Sequence, residues 1–119
     1  MIVENQKQLI NCIRNIRKIY DCGYYHHSFE MISLYIDIVN IINLLNNGDK
    51  EIIINRFVRE KTPSEIARVK HCSIANITQR TDKAISRFVL AYQKHYHILL
   101  PKSTRGRLYV CDERKGDIG

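Results

Sequence analysis

The chain has 119 residues, 45% of them hydrophobic, with 19 Lys/Arg against 12 Asp/Glu and a formal net charge of +7. This length allows one domain with a small core, or a small domain plus an appendage, and the lack of any run of about 18 apolar residues excludes a membrane span. The charge is one-sided: residues 1–60 hold seven Lys/Arg and seven Asp/Glu, whereas residues 61–119 hold twelve against five, so the second half carries the whole excess and is the half suited to a polyanion.

Residues 3–20 predict a first helix, with Leu9, Ile13, Ile16 and Tyr20 along one face and Arg14, Arg17 and Lys18 away from it. Asp21-Cys22-Gly23 is expected to end it, Gly23 taking the left-handed conformation. Tyr24-Tyr25-His26-His27 reads as a ring-rich connector, and Ser28 as the cap of a second helix running to about Asn47. That helix carries two apolar stripes, one of Phe29, Ile32, Ile36 and Val39, the other of Leu34, Ile38, Ile41 and Leu45. A helix apolar on two sides is either central in a bundle or shared with another subunit, which gives the expectation of a homodimer through residues 1–47. Gly48 suits the position after this helix and Asp49 the cap of the next, a third helix over about 50–60 that buries Ile53, Ile54, Phe57 and Val58.

The stretch 62–88 is the most informative. Thr62, Pro63 and Glu65 form a capping box with proline at the first helical position, where its missing N–H costs nothing. Ile66, Ala67 and Val69 give a short apolar face, Lys70-His71-Cys72 interrupts it, and Ser73 caps the next helix. Ile77, Ala84, Ile85 and Phe88 then recur at helical spacing, with Ala75, Gln79, Asp82, Lys83 and Ser86 opposite them. Two capped helices joined by a turn, the second polar and basic outside, make a helix-turn-helix. The second helix is expected to run to about Leu99, stopped by Pro101.

These elements predict an all-α fold, a small bundle of about five helices in three parts. Residues 1–47 form a helical hairpin for oligomerisation or partner binding, 48–100 a helix-turn-helix DNA-binding domain, and 101–119 a basic tail. The expected core contains Ile53, Phe57, Ile66, Val69, Ile77, Ala84 and Phe88.

No catalytic constellation emerges: the sequence has no glycine-rich phosphate loop, G-x-S-x-G or H-E-x-x-H. His71-Cys72 is the nominal Cys–His pair, but neighbours in a turn cannot aim both side chains at one point. The four cysteines, Cys12, Cys22, Cys72 and Cys111, form no C-x-x-C pair and read as free thiols. Cys22 with His26 and His27, or His95 with His97, lacks the second close pair that a structural zinc site needs. No enzyme, cofactor or metal is therefore expected. The N-terminus shows no basic-then-apolar signal pattern, so cytoplasmic residence is the expectation.

With these residues in view, 51–88 resembles region 4 of bacterial sigma-70-type factors. The matching elements are Ile52-Ile53-Ile54-Asn55-Arg56-Phe57, then Glu65-Ile66-Ala67, Val69, Ser73, Ile77, Arg80, Lys83-Ala84 and Phe88. The resemblance covers about a third of the chain. It implies a helix-turn-helix that recognises promoter DNA, with a glutamine at the place of Gln79 reading a base edge and a lysine at the place of Lys83 holding phosphate. The chain departs from the family at Ile74-Ala75, where primary factors carry Arg-Glu, at His71, where the family has a turn glycine, and at Lys70, where it has leucine. With no promoter-melting region before the motif, the chain looks like the small stand-alone regulators of phages and mobile elements in Gram-positive bacteria.

The function expected is thus a transcription regulator that binds double-stranded DNA at promoters together with RNA polymerase. Its candidate DNA-binding residues are Ser73, Ala75, Asn76, Thr78, Gln79, Arg80, Lys83 and Arg87. The alternatives are a phage DNA-packaging or replication adaptor, and an interaction module that holds RNA polymerase or an anti-sigma partner.

Overall fold

The computed structural model of the chain describes residues 3–102. These residues are all-helical: α1 (Gln6–Arg14), α2 (Ile16–Tyr25), α3 (Phe29–Leu44), α4 (Asn47–Ile53) continued by a π-helical turn (Ile54–Val58), α5 (Pro63–Lys70) and α6 (Ile74–Tyr96). The basic tail expected over 101–119 lies, after Lys102, outside the described residues. Among the described residues no helix is long and apolar enough to cross a membrane.

The first expected helix is two. Asn5 caps α1 by accepting from the Gln8 N–H at 2.8 Å. At Asn15 the backbone leaves the helical region, and the Asn15 amide donates to the Asn11 carbonyl at 2.8 Å, a local bond that competes with helix propagation. The break changes the phase of α2, so Leu9, Ile13 and Ile16 are buried as expected while Tyr20 is exposed. Nor does α2 stop at Gly23. Gly23 is a buried helical residue at the crossing with α3, where an added Cβ would lie 2.8 Å from Ile32 Cγ1 and 3.0 Å from the Ile32 nitrogen. The left-handed residue of this connection is His27, at φ 52°.

Ser28 caps α3, accepting from the Met31 N–H at 3.3 Å. Of the two stripes, Leu34, Ile38 and Ile41 are buried, whereas Phe29, Ile32 and Ile36 are exposed. The next restart differs by three residues from the expectation. Asn46, not Asp49, is the cap of α4, accepting from the Asp49 N–H at 2.8 Å, and Gly48 sits inside the first helical turn. The π-turn is closed by the Arg59 N–H on the Ile54 carbonyl at 2.9 Å. Its extra residue per turn brings Phe57 into the core beside Ile52 and Ile53 and leaves Ile54 and Val58 half-buried.

α6 spans the bundle, packing on α1, α3, α4 and α5. It ends at His97 in the left-handed region, φ 54°, four residues before the proline expected to stop it. The chain then turns back: the Leu100 N–H donates to Gln93 Oε1 at 2.7 Å, and the carbonyls of Pro101 and Lys102 accept from the Gln6 and Lys7 N–H groups at 2.8 and 3.1 Å. Those are N-terminal amides of α1 that have no intrahelical partner. One contiguous core joins both halves of the chain, from Leu9 and Ile13 through Ile38 and Ile53 to Ile77 and Phe88.

Candidate nucleic-acid interface

The helix-turn-helix is built by caps. Thr62 Oγ1 accepts from the Glu65 N–H at 3.1 Å while Glu65 Oε1 accepts from the Thr62 N–H at 2.8 Å, closing the box. The bond from the Thr62 backbone N–H, followed by the Thr62 side chain, holds the Glu65 carboxyl below the usual range. α5 ends at His71, at φ 57° and ψ 46°, so the residue standing where the resembling family has glycine adopts the left-handed conformation itself. The Cys72 N–H then bonds the Ala67 carbonyl at 3.0 Å, and Ser73 Oγ accepts from the Asn76 N–H at 3.0 Å to open α6.

Of the expected core, Ile53, Phe57, Ile66, Ile77, Ala84 and Phe88 are buried. Val69 is not: it is 73% exposed. Eight residues of α5 bury only Ile66 and Ala67, and after the left-handed turn it is Cys72 that packs against the core.

The first half of α6 separates cleanly. Ile77, Thr81, Ala84 and Ile85 face inward, and Thr81 satisfies its buried hydroxyl by donating to the Ile77 carbonyl at 2.8 Å. Ser73, Ala75, Thr78, Gln79, Arg80, Lys83 and Arg87 are exposed. Asn76 is half-buried, with its Oδ1 out of solvent and without a hydrogen-bond partner. Thr78 spends its hydroxyl proton on the Ile74 carbonyl at 3.1 Å.

Arg80, Lys83 and Arg87 stand at i, i+3 and i+7 and line one recess of about 410 Å³ together with Lys70, Asn46 and Glu51. Asp82 is exposed and lines a different recess, shared with Arg14, Arg56 and Thr78. Two ion pairs tie the basic side to α4. Arg87 Nη1 donates to both oxygens of Asp49, at 2.9 and 3.1 Å, and the Asp49 side chain is only 9% exposed. Lys70 reaches Glu51 at 2.9 Å, and this hydrogen bond and charge lower the Glu51 carboxyl.

Sequence reading identified the polar face of α6 but not its supports. Asp49, Asn46, Lys70, Arg14 and Arg56 come from other elements, and only the packing of those elements around α6 makes them neighbours. Among the described residues, no three of His, Cys, Asp and Glu are gathered as a metal site. Burial pushes the Cys12 thiol up, away from reactive thiolate character. Comparison with protein-family models, with characterised proteins and with solved structures finds no match to this chain.

Proposed function

We propose that the chain is a sequence-specific transcription regulator of the sigma region 4-like type, which binds double-stranded DNA at promoters together with RNA polymerase. The observation that carries this reading is the first half of α6. It follows a short capped helix and a left-handed turn, buries its apolar side in the bundle, and leaves Ala75, Thr78, Gln79 and Lys83 exposed on the outer side. A helix presented in this way fits the major groove of B-DNA, where a glutamine can pair its carbonyl and amide with an adenine edge. Lys83 follows Gln79 by one turn and suits a backbone phosphate, with Arg80 beside it. Eight Lys/Arg against two Asp/Glu in residues 61–102 supply the field that brings such a surface to DNA.

Selection of bound duplexes from a random pool tests the reading, with footprinting of the selected site in the presence and absence of RNA polymerase. The expected result is one enriched site whose protection extends when polymerase is added. A pool that stays random would contradict sequence recognition, and a footprint indifferent to polymerase would remove the polymerase from the proposal.

A further inference from the structure

The neutral half of the molecule carries an uncovered aromatic face. Four tyrosines form a chain of ring contacts: Tyr25 meets Tyr24 edge-on at 5.1 Å, Tyr24 stacks on Tyr20 at 5.8 Å, and Tyr20 meets Tyr35 at 5.0 Å. Close approach of Gly23 to Ile32 joins this ladder to the exposed stripe of α3, where Phe29, Ile32 and Ile36 lie at i, i+3 and i+7, the spacing of a seam between two helices.

We propose that this face of α2 and α3 is the interface with a second copy of the chain. Three observations favour a copy of itself. First, the exposures of Tyr20 (41%), Tyr24 (61%), Tyr25 (69%) and Phe29 (87%) leave roughly 500 Å² of ring surface at about 200 Å² per aromatic side chain. The exposed parts of Ile32 and Ile36 bring this toward the ~800 Å² per partner of a standard interface. Second, none of these six residues is charged, so their own side chains can meet across a two-fold axis without like charges opposing, with Glu30 and Asp37 at the edge beside Phe29. Third, the +7 excess lies entirely in residues 61–119, so two chains meet through the half where charge balances. Exposed tyrosines also stack on single-stranded nucleic acid. Here, however, Arg17 beside the ladder is engaged with the Val58 carbonyl at 3.0 Å, and aliphatic side chains continue the patch, which suits a protein partner.

Sedimentation equilibrium without DNA, up to about 100 µM chain, tests the inference. The expected mass is twice 14.0 kDa. The double variant Phe29→Asp/Ile36→Glu should sediment as a single chain with an unchanged helical circular dichroism spectrum, because both positions are exposed and position 29 lies in the first turn of α3, where a carboxylate is favourable. Tyr24→Lys, on the other helix, carries the same expectation independently. A wild-type monomer at the highest concentration, an assembly larger than a dimer, or a dimer that survives both variants would overturn the proposal. DNA is absent from this measurement, so its failure and a failure of the DNA reading are seen separately.

Discussion

Lys83 and Arg87 stand one turn apart on α6 and differ in what already holds them. Arg87 is committed to a buried carboxylate of α4, so removing it disturbs the bundle as well as the surface. Lys83 is exposed and makes no hydrogen bond or ion pair among the described residues, which makes it the cleaner probe. Lys83→Ala should weaken binding to every DNA sequence alike and reduce the slope of log K against log salt by about one, measured by titration at several salt concentrations. Glu65 gives a residue-scale prediction of another kind. Its carboxyl is held below the usual range by the capping box, so its contribution to stability is full above the ordinary glutamate range and is lost as pH falls through the lowered folded value. Glu65→Gln should therefore flatten this acidic limb in a series of melting curves while leaving the neutral-pH fold unchanged.

At the scale of elements, local chemistry was the legible part. The capping box at Thr62, the cap at Ser28 and the cap at Ser73 each involve residues three apart, and each formed as expected. Glycine was misleading, because its use here depends on neighbours distant in sequence. Gly23 and Gly48 were expected in turns, yet Gly23 lets α3 approach α2 and Gly48 is helical, while His27, Glu60, His71 and His97 take the left-handed positions among the described residues. Two substitutions separate these roles. His71→Gly should raise stability by about 1 kcal/mol, since a non-glycine residue is held there in the left-handed region. Gly23→Ala would stabilise an isolated helix by about 1 kcal/mol. In this bundle its Cβ meets Ile32, including the backbone nitrogen at 3.0 Å, so thermal denaturation should show a net loss of about 1–3 kcal/mol. The π-turn at Ile54–Val58 was not legible, because nothing in apolar spacing distinguishes five-residue from four-residue hydrogen bonding over a single turn.

On the scale of the whole molecule, two surfaces of different character lie on one core. The polar face of α6 carries the basic charge, and α2 and α3 carry the uncovered aromatic face. Charge asymmetry and the two stripes of α3 were both readable from the sequence. The ion pairs from Asp49 and Glu51 that brace the basic side were not, since they join residues 38 and 19 positions apart. The proposed function depends on α6 reading bases, and Gln79 is the residue on which that dependence is sharpest. The decisive measurement is the affinity of wild type and Gln79→Ala for the selected site and for all single base changes within it. The expected loss is roughly 1–3 kcal/mol on the preferred site, with discrimination relaxed at one base pair and kept elsewhere. Unchanged affinity and an unchanged base preference would contradict base reading by α6.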